Sequence, residues 1–398
     1  MIIAGEPSGD AHSTSLVEAL KKFNHGPEME FFGATGPGMR SAGVETIVNS
    51  DELAIMGIVE VSRALSGFVR AFRKLKSAAL TRRPDAVILV DWPEFNLRLA
   101  RSLHRHGLRI IYYISPQLWA WRPKRVSYVK RDIDLLLSIL PFEADWYKSH
   151  GVQHVSFIGH PLAGEVRATL TRAEFCERHS LDPSRPVITF LPGSRRKELE
   201  RILPPMLDAI QRLRSLRTDV QFLVGVAPSR KMDEVMEIVS RHDSSLLGSL
   251  TIVHGETRNA LASSDVAAVA SGTATLEAAL LETPMVIVYK ESTINWNTLG
   301  RLITAEHYGL VNLVAGERLV TELMQDDLDG ETLAAELSNL LNAETNSQLR
   351  QRLAQVAHRL GKPGASNRAA EKILEALKTW KESKPPKSGR ITNVRSNS

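Results

Sequence analysis

Pro192-Gly193-Ser194-Arg195 and Ser271-Gly272-Thr273-Ala274-Thr275-Leu276-Glu277 each set small residues and hydroxyls between a β-branched apolar run and a helical stretch. Backbone N–H groups at such a helix start attract anions, and a guanidinium neutralises them. Ser194, Arg195, Gly272 and Thr273 are therefore candidates to cradle a diphosphate. Glu277 lies four positions beyond Thr273, one turn along the same helical face, where its carboxylate can accept from two ribose hydroxyls. An arginine or a glutamate at a helix start is also common on surfaces. The two matched loops together point to a nucleotide.

Two further loops follow strand-like runs nearer the amino end. In Gly5-Glu6-Pro7-Ser8-Gly9-Asp10, glycines let the backbone approach an anion or a sugar, which makes Ser8, Gly9 and Asp10 candidate substrate contacts. The plainer reading is a tight turn with Asp10 near a helix N-cap. In Val90-Asp91-Trp92-Pro93-Glu94-Phe95-Asn96 a carboxylate stands at the end of a buried strand. Asp91 suits a general base for a sugar hydroxyl, or it simply accepts from loop amides, and Asn96 is a candidate substrate contact beside it. Ser115-Pro116-Gln117-Leu118-Trp119-Ala120-Trp121-Arg122 either lines an apolar pocket beside an anion contact or seals an interdomain hinge. No metal-ligand cluster is visible: Asp326, Asp327 and Asp329 read as a solvated helix start and His160 as a hinge residue. No metal and no cofactor are expected.

The elements that must carry these loops are legible. Apolar runs at Ala86–Val90, Ile110–Ile114, Leu135–Leu140, Val155–Ile158, Val187–Leu191, Gln221–Val226, Val266–Ala270 and Met285–Tyr289 alternate with helical segments. Continuous apolar strands between helices are the mark of parallel sheets covered on both faces, so the chain is α/β. The series runs twice, which predicts two doubly wound Rossmann-like domains facing a cleft. Residues 1–165 form the first and 166–345 the second, with one helical connector across Leu162–His179. Residues 346–382 read as helices crossing back over both, and 383–398 as a disordered tail.

Composition narrows the class. Hydrophobic residues at 43% and charged residues at 24% give the balance of a globular chain of 398 residues, which excludes collagen-like and coiled-coil readings. Fifty Lys+Arg against 45 Asp+Glu leave +5, mild for a nucleic-acid binder. One cysteine, Cys176, excludes a disulfide framework and suits a reducing compartment. No run is long enough to span a membrane, and MIIAGEPSGD lacks the features of a signal peptide, so a cytoplasmic protein is expected. One helix nevertheless reads as membrane-facing. Ile58, Val61, Leu65, Phe68, Phe72 and Leu75 recur on one helical face, while 60–83 carries seven Lys/Arg and one Glu. Part of that stripe must pack on the sheet; Val59, Val61, Leu65, Phe68 and Val69 are the candidates to touch an anionic bilayer.

GEPSGD, MGIVEV, DWPEFN, YYISPQLWAWR, FIGHP, LPGSR, SGTATLE and LVNLVAG, in this order, resemble bacterial lipid-A-disaccharide synthases from Gly5 to about residue 375. The resemblance implies a two-domain GT-B glycosyltransferase. Such an enzyme transfers 2,3-diacylglucosamine from UDP to the 6-hydroxyl of 2,3-diacylglucosamine 1-phosphate. The anomeric centre inverts, giving a β(1→6) disaccharide and UDP at the inner face of the inner membrane. It implies Asp91 as the base, Arg195 against the diphosphate, and Glu277 and Asn312 in binding the UDP-sugar. A homodimer is left open. The competing readings are another GT-B enzyme, such as a UDP-N-acetylglucosamine 2-epimerase or the peptidoglycan-precursor N-acetylglucosaminyltransferase, and a basic nucleic-acid binder. The sequence favours no nucleic-acid partner, because its aromatics fall in cleft loops rather than among clustered lysines and arginines.

Overall fold

Runs such as Val87–Val90 and Val266–Ala270 are apolar on both faces and stay ordered only where helices cover both sides of a sheet. In the computed structural model they lie in two all-parallel sheets. The structure describes residues 1–50, 61–292, 296 and 307–382, the side chains of 61–66 excepted. The first sheet comprises β1 Ile2–Ala4, β2 Phe32–Thr35, β3 Glu45–Asn49, β4 Val87–Val90, β5 Ile110–Tyr113, β6 Leu135–Ser138 and β7 Val155–Phe157. Its order is β3-β2-β1-β4-β5-β6-β7. The second comprises β8 Val187–Leu191, β9 Gln221–Val226, β10 Leu250–His254, β11 Val266–Ala270, β12 Met285–Tyr289 and β13 Glu322–Met324. Its order is β10-β9-β8-β11-β12-β13.

Each sheet reverses its winding once. In the first, β1 pairs with β2 on one side and with β4 on the other, Ala4 opposite Val90. In the second, β8 sits between β9 and β11, Leu191 opposite Val269. Helices leave such a pair of strands in opposite directions, so a crevice stays uncovered at their carboxyl ends. The loops after β1, β4, β8 and β11 line these two crevices. They are four of the five loops that the sequence marks; the fifth, Ser115–Arg122, follows β5.

The halves keep separate cores but exchange elements. The helix Ala343–Arg359 places Leu349, Leu353 and Val356 in the core of the second half. The helix Ala365–Glu382 places Ala369, Ala370 and Ile373 against Ile2, Ala4 and Leu16 of the first. Between them the chain recrosses beside its earlier crossing: the His160 N–H donates to Leu360 O at 2.7 Å, and Arg368 Nε to Ile158 O at 2.7 Å. The expected single connector helix is two, Leu162–Glu165 and Arg172–Arg178; a capping box of Thr171 and Glu174 starts the second and so interrupts the run. The tail 383–398 and Val59 lie outside the described residues, as do the side chains of Val61 and Leu65.

The helix Val61–Arg82 divides its stripe. Leu75 is fully buried, and Phe68 and Phe72 pack against Trp92 and Phe95 at ring-centroid distances of 5.8 Å each. Val69 is 43% exposed, next to exposed Arg70. Trp92 is held by this contact and by a stacked Phe95 ring at 4.1 Å, and its indole lies over Gly5. A Cβ on Gly5 would stand 2.2 Å from Trp92 Cδ2, so only glycine lets the loops after β1 and β4 meet. Gly5→Ala is expected to destabilise the fold by roughly 1–3 kcal/mol, the range for overpacking, seen as a lowered melting temperature by circular dichroism. An unchanged melt would show that the indole gives way freely.

Candidate active site

Asp91 follows β4 in a strained elbow: φ is +47° at Asp91 and +51° at Trp92, and neither residue is glycine. Such backbone costs on the order of 1–3 kcal/mol per residue and persists only where its surroundings enforce it. Here they do. The Asp91 N–H donates to Tyr113 O at 3.3 Å, and Asp91 O accepts from Tyr112 Oη and Asn96 Nδ2, both at 2.7 Å. Asn96 Nδ2 also donates to Val90 O at 3.2 Å, so this fully buried amide holds the elbow from behind rather than lining the cleft.

The Asp91 carboxyl is pushed above the ordinary aspartate range by burial, opposed by a Trp92 backbone hydrogen bond and the charge of His12. Burial also raises Glu6, helped by the charge of Asp91 and opposed by that of Arg195. His12 is held below the ordinary histidine value by burial, against the pull of Glu165 and Asp91. Glu6 thus feels the charges of both Asp91 in the first half and Arg195 in the second, while His12 and Asp91 act on each other.

Across the cleft, a cavity of about 850 Å³ is lined by Gly193, Ser194, Arg195, Ser271, Gly272, Thr273 and Glu277 among others. The helix Thr273–Leu280 opens onto it with its positive end towards the cavity, its Thr275 N–H already donating to Gly272 O at 3.1 Å. Gly272 caps that helix at φ +150°, with nothing within 4 Å of where its Cβ would be, so the backbone is open to a ligand. The loop after β8 differs. The Ser194 and Arg195 N–H groups already donate to Glu198 Oε2, at 2.9 and 3.1 Å. What that loop offers the cavity is the Arg195 guanidinium, 83% exposed. Glu277 Oε1 accepts from Arg258 Nε and an Arg258 terminal nitrogen at 3.0 and 2.8 Å, which fixes the carboxylate at the cavity wall.

Not every expected residue arrives at the cleft. Ser8 is exposed at the start of the helix Pro7–Phe23, whereas Gly9 is buried where that helix packs on Ala4. The Asp10 carboxylate accepts from the Gly36, Gly38 and Met39 N–H groups at 2.9, 2.8 and 3.1 Å, capping the helix Pro37–Ser41. That is a framework role. Asn312 is likewise buried: its Nδ2 donates to Val320 O and Glu322 Oε1, and its Oδ1 accepts from Val320 N–H. Trp119 is buried in the seam between the halves, and Arg122 pairs with Glu94 at 2.7 Å instead of facing the cavity. His160 accepts from the Leu162 N–H and is pushed down to about 4 by burial, as suits a neutral hinge residue. Sequence reasoning missed Arg258, Glu198 and His12. Glu198 carries a local signal, three residues after Arg195; Arg258 meets Glu277 only through folding. Among the described residues no three His, Cys, Asp or Glu side chains converge as a metal site, and no helix is long and apolar enough to cross a membrane.

Two doubly wound parallel sheets, with Asp91 at the end of a strand of one and a helix start beside a cavity in the other, define an α/β protein of the GT-B class. Solved structures share this shape. The S. aureus MnaA–UDP co-structure has a TM-score of 0.63 at 13% identity, covering 97% of both chains. The UDP-GlcNAc 2-epimerase from Neisseria meningitidis bound to UDP-GlcNAc has a TM-score of 0.56 at 10% identity, covering 93% of this chain and 97% of that one. At such identities the likeness concerns the fold alone. The family described as lipid-A-disaccharide synthetase matches residues 1–376. Lipid-A-disaccharide synthases of Geobacter sulfurreducens and Solibacter usitatus are each 42% identical, over 95% of this chain and 97% of their own length. The chain belongs to the lipid-A-disaccharide synthase family and is a hexosyltransferase. The epimerase, peptidoglycan-precursor and nucleic-acid readings are not favoured.

If Asp91 takes the proton, Asp91→Asn should lower kcat by roughly 10²–10⁴-fold, the usual worth of a positioned base, with circular dichroism unchanged. A protonated carboxyl cannot accept. The wild-type kcat/KM is therefore expected to rise with pH through an ionisation lying above the ordinary aspartate range, and the variant to lose that acid limb. Initial rates across pH on both proteins check this; near-normal turnover in the folded variant would remove Asp91 from the role.

Proposed function

We propose that the chain joins UDP-2,3-diacylglucosamine to 2,3-diacylglucosamine 1-phosphate, forming the β(1→6)-linked lipid A disaccharide 1-phosphate and UDP. Asp91 accepts the proton of the acceptor 6-hydroxyl while its oxygen attacks the donor anomeric carbon from the face opposite the diphosphate. The bond from that carbon to the diphosphate breaks, UDP leaves with the electron pair, and the centre inverts. Arg195 and the first turn of Thr273–Leu280 stabilise the charge that grows on the leaving group, and Glu277 holds the ribose hydroxyls. In this reading residues 1–165 hold the acceptor and 166–345 the UDP-sugar, while 346–382 ties the two together. No metal or cofactor takes part.

The observation that carries the reading is the placement of Asp91 at the reversal of the first sheet and of Arg195, beside the donor cavity, at the reversal of the second. The test is direct. Purified protein given both acylated sugars is expected to release UDP and the disaccharide 1-phosphate by mass spectrometry, equally in EDTA. UDP without disaccharide would mark a hydrolase, and conversion of UDP-N-acetylglucosamine alone would restore the epimerase reading.

Both substrates are lipids, and the helix Val61–Arg82 supports docking at the inner face of the inner membrane. Val69 and Arg70 face solvent while Leu75 is inside. Basic residues near an anionic leaflet contribute about 1 kcal/mol each, and partly inserted apolar side chains add to that. Val59→Ser/Leu65→Ser/Val69→Ser, which leaves Phe68 on Trp92, is expected to stop sedimenting with anionic vesicles while melting as wild type does. Undiminished sedimentation would place the docking surface elsewhere.

A further inference from the structure

Glu143 is a carboxylic acid with no exposure to solvent, at the start of the helix Glu143–Ser149 behind the cleft. Three donors meet it. Ser115 Oγ and the Leu140 N–H donate to Oε2 at 2.7 and 3.1 Å, and Trp119 Nε1 donates to Oε1 at 3.1 Å. Burial pushes the carboxyl up to about 7 against the pull of these hydrogen bonds. A buried ionisable group is seldom the cheapest way to fill a core, since apolar residues of similar volume often serve as well. Its presence is therefore best read through what it holds.

Two of its donors, Ser115 and Trp119, stand on one loop, and the two ends of that loop lead to the two sides of the cleft. Ser115 stands two residues beyond β5; within β5, Tyr113 O accepts from the Asp91 N–H and Tyr112 Oη donates to Asp91 O. Trp119 belongs to the core of the second half together with Leu140 and Leu162, its ring edge-on to Phe142 at 5.0 Å. Tyr147, on the same helix as Glu143, donates to Pro116 O at 2.6 Å and ties the loop again. A continuous path thus runs from the Asp91 elbow through β5 and Ser115 to Glu143, and from Glu143 through Trp119 into the half that carries the donor cavity.

We propose that Glu143 is a positioning residue, which locks the loop 115–121 so that Trp119 seats in the second half and Asp91 stands at its working distance from the donor cavity. This rests on the reading of Asp91 as base opposite a UDP-sugar. The carboxylate touches neither substrate. It acts through the loop that joins the two lips, so its loss alters the alignment of the reacting atoms and leaves the nucleotide pocket intact.

Glu143→Gln, Trp119→Phe and the double variant separate this role from general stability. Trp119→Phe keeps an aromatic ring in the seam and removes the N–H donor. Each single variant is expected to bind UDP within about twofold of wild type by calorimetry but to lose roughly tenfold to a hundredfold in kcat, on the scale of a small misplacement of reacting groups. The double variant should be no worse than the poorer single, because both remove one interaction. Wild-type kcat in folded Glu143→Gln would overturn the proposal. So would losses that multiply in the double variant, or a UDP affinity that falls in step with kcat. If Glu143→Gln does not fold, the kcat and UDP affinity of Trp119→Phe decide the matter. Asp91→Asn measured alongside keeps the two readings apart: full turnover there rejects the base, whereas loss there with unaffected Glu143 and Trp119 variants rejects only the tie.

Discussion

A parallel sheet can be wound outward from one strand in only two directions, and where the winding changes direction the covering helices part. This chain meets that constraint twice, beside β1 and beside β8. The strands there are short and wholly buried, Ile2–Ala4 and Val187–Leu191, so their carboxyl ends are fixed in position by neighbours on both sides. Loops that leave them have no helix above and must satisfy their own backbone groups. That is why glycines and hydroxyls gather in Gly5–Asp10, Pro192–Arg195 and Ser271–Thr275, and why a carboxylate can stand at the end of β4 with its backbone in a left-handed elbow.

The two reversals divide the charges. The first half contributes carboxylates to the cleft, Glu6 and Asp91, with Asp91 pushed up by burial. The second contributes a helix start, Arg195 and the Arg258–Glu277 pair. A base and an anionic leaving group in a single loop would repel each other and depend on solvent for screening. On separate halves each charge keeps its own environment. Between Asp91 and His12 the effects are mutual: the charge of His12 pulls the Asp91 carboxyl down against burial, and Asp91 pulls His12 up against burial.

Such a division works only if the halves hold a defined relation. Two crossings lie side by side, Gly159–Pro161 and Leu360–Gly364, joined by the His160 N–H and the Arg368 guanidinium. Around them, core side chains change sides: Trp119, Leu140 and Leu162 pack with the second half, and Ala369, Ala370 and Ile373 with the first. The seam is therefore made from the same apolar packing as the domain interiors, with Glu143 as its polar anchor.

The class of fold and the four cleft loops were legible from residue types alone. Strands buried on both faces must be apolar throughout, and β8, β9, β11 and β12 read to the residue for that reason. Strands without a continuous apolar run escape the rule: interior β2, with the sequence FGAT, and the edge strands β3, β10 and β13 were not found, whereas the edge strand β7 was. Family motifs marked Asp91, Arg195 and Glu277, since each sits in or one turn beyond a loop whose composition is itself a constraint. What only the tertiary structure decided is which of the marked side chains reach the cleft. Asp10 caps a helix about thirty residues away, and Asn312 closes on Val320 and Glu322. Arg258 finds Glu277, and Glu143 gathers Ser115 and Trp119. These partners are brought together by packing between elements, and packing depends on the shape of the whole core; a pairing of that kind leaves no period, spacing or composition in the chain by which it can be read beforehand.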